Sequence, residues 1–416
     1  MAVAEVEAPA GRFAAFRRVL ARPLLRRVLG GVLVSALGDG MNAVAVAWLA
    51  LLIAPEGQAG LWTGLAVAAY TLPATVGMVV LGPLVRRFNG AGLMALDATL
   101  RGGMLAVVAV LAVANVLTPP LYVVLLAVSS LLHAWGNAGA YTLVADELPE
   151  ADQVTGNAMI GTFMQASLIV GPALAGLLTA AVGPGWVIAG GAASFGVLAA
   201  LCWPAAHRSP VPAGAAQTET RGAWAVLRGH RQLLGLTVVT CFFFFLYGPV
   251  EVAMPIHIAK EMGASASLLG VYWAVFSIGA VIGGLGVGLL RNTSLWAIVI
   301  VIIVGWGAAL LPAALTDTVW PGLVGFAIGG VIYGPYLAVS TGLYQRAAPP
   351  EALSRVLAFR TALTTPSVGL GMALGGPIVN ALGGRGTMLA SGLLTIGLGL
   401  AVLLALAVGQ KRMTAS

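Results

Sequence analysis

Hydrophobic positions along this chain come in long blocks, parted by Pro, Gly or clustered charge. The blocks lie at about 28–54, 60–85, 91–116, 121–145, 155–181, 186–204, 233–258, 266–290, 295–315, 321–345, 356–382 and 387–409. A helix needs about 20 apolar residues to cross the hydrocarbon layer, whereas a strand needs only about 10 in strict alternation. Blocks this long and unbroken predict about twelve transmembrane helices, here called spans 1 to 12, and exclude a β-barrel. The pattern is that of an all-α polytopic membrane protein.

Composition agrees. Of 416 residues 59% are hydrophobic and 8% charged, and the mean hydropathy is +0.98, more apolar material than one or two soluble cores can bury. The segment before span 1 lacks the basic, apolar, small-residue order of a cleaved signal peptide, so span 1 is expected to be retained. Arg12, Arg17, Arg18, Arg22, Arg26 and Arg27 precede span 1. Arg86 and Arg87 lie between spans 2 and 3, and Arg208, Arg221, Arg228 and Arg231 between spans 6 and 7, whereas Lys260 and Arg385 fall opposite. The positive-inside rule then places both termini and the central loop in the cytoplasm, and the net charge of +7 needs no nucleic-acid partner. "ADELPEAD" between spans 4 and 5 is the exception, and reads as a solvated acidic loop.

One long polar linker divides the chain. The expected organisation is a cytoplasmic N-terminal segment (1–27), a six-helix bundle (28–204), a cytoplasmic central loop (205–232), a second six-helix bundle (233–409) and a cytoplasmic tail (410–416). The halves resemble each other weakly: "LPEAD" at 148–152 and "PPEAL" at 349–353 each follow the fourth span of their half, an offset of about 201 residues, and "GPLVRRF" after span 2 and "GVGLLRN" after span 8 are offset by about 204. A constant offset equal to the half-length is what internal duplication leaves, and duplicated halves around a midplane site are the usual plan of secondary transporters.

Twelve spans in a six-plus-six division, "GPALAG" in span 5 (Gly171, Pro172, Gly176) and "GPLVRRF" after span 2 resemble the major facilitator superfamily. "SALGDGMNAVAVAWLAL", "LDATLRGGML" and "LVADELPEADQVTGNAMIGTFMQASLIVGPALAGLL" are similar to its exporter branch of drug and siderophore efflux proteins. The resemblance implies two rocking bundles, a central cavity lined mainly by spans 1, 4, 7 and 10, and proton antiport. Two positions depart from the family pattern. Arg86 stands where an acid usually precedes Arg87, which removes the gating salt bridge that acid supports, and span 4 offers His133 where efflux members often carry Arg.

Ionisable groups inside the spans are the candidate machinery, since a central Asp costs about 2.5–3.5 kcal/mol unless it faces protein or water. Asp39 lies about 11 residues into span 1, roughly 16 Å deep at 1.5 Å per residue. Ser35, Ala36, Asn42 and Ala43, one turn away on either side, can hydrogen-bond it but not neutralise it. Asp39 is therefore either a protonatable coupling site or the fixed partner of Arg101, which sits at matching depth in span 3. Asp97, one turn before Arg101, is expected to share it. His133 near the middle of span 4 can relay a proton or be a hydrogen-bonded interface residue. Glu251, in a span 7 segment interrupted by Gly248, Pro249 and Pro255, is either an outer gate or a residue reaching the interface. Asn42, Asn137, Tyr247 and Tyr333 are expected to line the cavity.

Other chemistry is missing from the sequence: no GxxxxGK[ST] loop, no HExxH, and two Cys that read as small apolar residues. No cofactor or metal is expected, and the chain reads as a transporter, not an enzyme. Few charges beside many aromatic groups, including Trp48 and Trp135, favour a proton-coupled exporter of lipophilic or amphipathic small molecules such as drugs, siderophores or other natural products. An importer of a polar nutrient and a membrane sensor remain as alternatives. The protein is expected to act as a monomer in the bilayer, and Arg far outnumbering Lys beside abundant Ala, Gly and Val points to a bacterial cytoplasmic membrane.

Overall fold

A computed structural model of the protein describes residues 12–85, 87–206, 228–290, 293–316, 318–349 and 352–414. Arg86 and most of the central loop lie outside these residues. Among those described, eleven helical runs are long and apolar enough to cross a membrane. They are Pro23–Ile53, Ala59–Val80, Gly90–Val113, Pro119–Glu147, Glu150–Val182, Pro184–Ala206, Gln232–Glu261, Ala266–Leu290, Leu295–Leu315, Val319–Ala347 and Phe359–Val408.

The last run is two spans. Its 50 residues would reach about 75 Å as one helix, far beyond a hydrocarbon layer of about 30 Å. Gly383, at φ 73°, breaks it in a left-handed conformation that glycine adopts without steric cost. Before the break, Gly371 lies against Phe245 and Gly375 against Pro249, so the chain runs parallel to span 7. After it, Gly392 lies against Gly307 and Gly399 against Val304, antiparallel to span 9. Spans 7 and 9 run the same way, so the chain reverses at Gly383 and residues 359–382 and 384–408 are spans 11 and 12. The helix continues to Thr414, beyond the expected start of the tail.

Helix pairing repeats between the halves. Span 1 packs on span 5, 2 on 4, 3 on 4 and 6; in the second half span 7 packs on 11, 8 on 10, 9 on 10 and 12. Spans 4 and 10 also share an interruption. Span 4 divides into Pro119–Ser130 and His133–Glu147, and span 10 into Val319–Tyr333 and Tyr336–Ala347. Broken helices at membrane depth free backbone groups, which is tolerated where protein or a watery cavity receives them. In span 10 the break falls on Gly334 and Pro335; in span 4 the freed carbonyl of Leu131 faces Gly77 of span 2.

The two bundles meet through span 5 against span 8 and span 2 against span 11, a pair of contacts exchanged by the same pseudo-symmetry. Both lie toward the side opposite the termini, here the far side. Gly60 N donates to Asn380 Oδ1 at 2.9 Å, Gly64 abuts Gly376, and Gly176 abuts Gly270. Toward the termini the same helices leave Val79, Val80, Val154, Leu285 and Leu289 exposed. The space between the bundles therefore opens on the termini side and is shut on the far side.

A lead helix, Arg12–Ala21, precedes span 1 and lies against the start of span 5. Arg18 grips Asp152 with Nη2 at 2.7 Å and Nε at 3.0 and 3.1 Å. Asp152 is thus buried, which corrects the expectation that the whole acidic stretch is a solvated loop.

Candidate functional site

A cavity of about 240 Å³ lies inside the first bundle, bordered by spans 1, 3, 4, 5 and 6. Its polar lining is Ser35, Asp39, Asp97, His133, Asn137 and Ser167, so four of the expected site residues share one space.

Asp39 is held from two sides. Arg101 Nη2 donates to its Oδ1 at 2.6 Å, and Tyr70 OH of span 2 donates to the same oxygen at 2.6 Å. The Arg101 side chain is 1% exposed, with its guanidinium carbon 4.4 Å from the Tyr70 ring centre and 5.2 Å from that of Phe195. Such stacking compensates part of the cost of burying the cation. The nearby residues on Asp39's own helix do not bond it: Ser35 Oγ donates to Val32 O, and Asn42 is sealed against Gly191 of span 6 with neither amide atom partnered. Asn42 is therefore not a cavity residue, contrary to expectation.

Asp97 does not hydrogen-bond Arg101, which corrects the expected pairing of those two. Arg101 is drawn sideways into the slot between Tyr70 and Phe195, while Asp97 lies flat on Gly136 of span 4, in space that a Cβ at 136 would occupy. One Asp97 oxygen, Oδ2, stands 3.6 Å from His133 Nδ1, and the other, Oδ1, is buried with no partner. Asn137 Nδ2 lies 3.2 Å from His133 Nε2; with that amide donating, the proton of a neutral ring sits on Nδ1, facing Asp97. The cavity wall thus carries two carboxylates, one of them paired with the Arg101 guanidinium buried behind it.

The second bundle is built differently at the same depth. Phe243, Tyr247, Trp273, Phe276, Trp306 and Tyr333 form a continuous aromatic cluster, with Tyr333 stacked on Tyr336 at 5.9 Å and 15°. Tyr247 and Tyr333 belong to this cluster and do not border the first bundle's cavity. Tyr247 OH donates to Glu251 Oε1 at 2.7 Å, which ties Glu251 to the aromatic wall. Pro255, one turn further, has no N–H to pair with the Glu251 carbonyl, so the backbone is loosened where the acid sits.

Of the motif residues, Gly171 lets span 5 touch span 1 at Gly40, and Gly176 makes the contact between halves with Gly270. Pro172 supplies no N–H to the carbonyl of Leu168, and Ser277 of span 8 donates to that carbonyl at 2.9 Å across the bundle boundary. Arg87 lies in an exposed turn. No group of three or more His, Cys, Asp or Glu that could hold a metal occurs among the described residues.

Nothing in the residue pattern marks Tyr70 or Arg360. Tyr70 lies in an unremarkable apolar run, and only its depth, matched to Asp39, signals a partnership. Arg360 near the start of span 11 is buried, donates to Thr341 Oγ1 at 3.2 Å and faces the Tyr344 ring at 5.4 Å. Its position near the end of a hydrophobic block makes it look like one more flanking arginine.

Two pseudo-symmetric six-helix bundles, shut together on one side and parted on the other with charge buried between their helices, define an alternating-access membrane carrier. The chain belongs to the Major Facilitator Superfamily, whose family model matches residues 28–359. It is a transporter and not an enzyme. It is 29% identical over 396 residues to the "Multidrug efflux pump Tap" of Mycobacterium tuberculosis, covering 87% of this chain and 88% of that protein. With "Macrolide efflux protein A" of Streptococcus pyogenes it shares 25% identity over 181 residues, 43% of this chain and 45% of that one. Among solved structures it is similar in fold to an inward-facing, unoccupied bacterial homologue of the human lysosomal transporter Spinster. That match has a TM-score of 0.71 at 13% identity and covers 92% of this chain and 97% of that one. The nucleoside transporter NupG matches with a TM-score of 0.70 at 12% identity, covering 92% and 98%.

Proposed function

We propose that this protein exports amphipathic small molecules, drugs or natural products among them, from the bacterial cytoplasm by exchange against protons. The observation that carries export is the relationship to multidrug efflux pumps along 87% of the chain. Proton exchange is supported by the Asp39, Asp97, Arg101 and His133 group, ionisable residues at membrane depth of which Asp97 and Arg101 are buried, since such groups are costly there and mark ion or substrate pathways. With both termini and the basic central loop in the cytoplasm, the open side faces inward, the state in which an exporter loads. The half-buried members of the second bundle's aromatic cluster, Tyr247, Trp273 and Tyr333, are chemically suited to flat apolar rings. The unit of function is a monomer, since each chain carries both bundles.

The test is efflux of a panel of lipophilic dyes and antibiotics from an efflux-deficient bacterium expressing the chain, with and without a protonophore. Extrusion that collapses with the protonophore is the expected result. Extrusion indifferent to it would overturn proton drive, and inward accumulation would overturn direction.

A further inference from the structure

We infer that the lead helix is an in-plane foot on the membrane: the face carrying Phe16 and Leu20 enters the headgroup layer on the termini side, and the arginines around it bind anionic phospholipid headgroups. The inference stands apart from export and from the coupling ion.

The helix turns its polar grip inward and an apolar face outward. Arg18 holds Asp152 at the start of span 5, and Val19 is wholly buried in the core. At about 100° per residue, Phe16 and Leu20 share a face roughly 160° round the helix from Arg18. They point away from the protein, 43% and 38% exposed. In water such a pair gains nothing, whereas an interfacial helix sinks its apolar face about 5–10 Å into the boundary between headgroups and acyl chains. The grip on Asp152 sets which face is presented.

Position and charge say what covers that face. Arg22, in an extended conformation, separates the lead helix from Pro23 at the start of span 1. Ala21 stands about 10 Å along the axis from Val28, where the apolar block begins, and a helix about 5 Å in radius with its side chains reaches from there into the headgroup layer. Residues 8–38 carry six arginines and no acid. Arg18 is engaged with Asp152, and Arg17, Arg22, Arg26 and Arg27 are exposed around the outward face and the start of span 1. Each arginine beside a leaflet favours anionic lipid about fivefold, and its planar fork matches a phosphate with two parallel hydrogen bonds. Basic residues alone would equally suit an acidic protein or a nucleic acid. Phe16 and Leu20 beside them favour a partner with acyl chains under its phosphates.

The experiment uses the full chain, with Cys202→Ala and Cys241→Ala, in nanodiscs of three parts phosphatidylcholine to one part phosphatidylglycerol. A nitroxide is attached through cysteine at residue 16, 20 or 21, one at a time, and its collisions with oxygen, which concentrates in the bilayer, are compared with those with a water-soluble nickel chelate. Labels at 16 and 20 are expected to favour oxygen and the label at 21 the nickel, and the label at 16 to shift toward nickel in phosphatidylcholine alone. As a check that does not depend on a variant folding, native mass spectrometry of the unmodified protein from the same mixture is expected to show phosphatidylglycerol retained over phosphatidylcholine by at least fivefold relative to their supply. Arg17→Gln with Arg22→Gln should lower that preference at least fivefold. Labels at 16 and 20 as open to nickel as the label at 21 would overturn membrane docking and assign the face to a soluble partner. Insertion and lipid retention indifferent to phosphatidylglycerol would overturn the lipid class. Both outcomes leave the efflux assay untouched, so failure here and failure of the export reading are told apart.

Discussion

Replacing Gly64 by Ala tests how the far side closes. At this point span 2 and span 11 touch backbone to backbone: a Cβ on residue 64 would lie 2.9 Å from the Cα and N of Gly376 and 2.9 Å from the carbonyl of Met372. Ordinary carbon contacts fall at about 3.5–4.0 Å, so the helices must part by roughly 0.6 Å or more. None of the three obstructing atoms belongs to a side chain that can swing away. Overfilling a packed contact costs about 1–3 kcal/mol. This cost falls only on the conformation in which the far side is shut, because opening separates these helices. At tenfold per 1.4 kcal/mol, the balance should move about 5- to 150-fold toward far-side opening. The assay is a pulsed electron-spin distance measurement in nanodiscs, with labels at Glu56 on the first far-side loop and Lys260 at the far end of span 7, both exposed. Gly64→Ala should raise the long-distance population. An unchanged distribution, with the variant folded, would refute the claim that this crossing is a gate.

Three further outcomes are expected. Asp39→Asn should lower thermal stability in detergent by about 1–3 kcal/mol, discounted from a fully buried pair because the Asp39 side chain is 31% exposed, whereas Asp97→Asn should change it by less than about 1 kcal/mol; equal melting temperatures would contradict the finding that Arg101 is paired with Asp39 and not with Asp97. Ser277→Ala removes the donor to the Leu168 carbonyl at the other inter-bundle contact, an exposed bond, weakening the shut far side by about 0.5–1.5 kcal/mol, read as added long-distance population with the same spin labels. Arg18→Ala should free the lead helix from Asp152, so that hydrogen exchange over 16–21 accelerates while the spans stay protected; unchanged exchange there would show that the grip is not what docks it.

Architecture was largely written in block length. Ten of the twelve blocks coincide with separate helical runs, and the last two appear as one run because nothing in hydropathy distinguishes a left-handed glycine from its helical neighbours; Gly383 lies in "NALGGRG", where the blocks are divided by glycine and one arginine. Depth along a helix is also legible, which is why Asp39 and Arg101 can be matched from sequence alone. Azimuth is not. Whether Asp97 turns toward Arg101 or toward span 4 depends on Gly136 leaving a hollow on a helix remote in sequence, and whether Asn42 faces the cavity or span 6 depends on Gly191 in the same way. Small residues act here as absences, and an absence is read only once its neighbour is known. Tyr70 was hidden for the complementary reason: its function lies in a hydroxyl that meets another helix, while its ring blends into an apolar run.

The turn at Gly383 also carries mechanical meaning. Glu261, at the far end of span 7, accepts from Gly384 N at 2.6 Å and Arg385 N at 3.0 Å, and is itself braced by His257 Nδ1 at 2.7 Å. The hinge between spans 11 and 12 is thereby pinned to the end of span 7. Three residues before that hinge, Asn380 holds the backbone of Gly60 in the opposite bundle. The far end of span 7, the turn at Gly383 and Asn380 are thus linked by short polar contacts, so that a movement of that end of span 7 has to carry the hold on Gly60 with it or break one of these bonds.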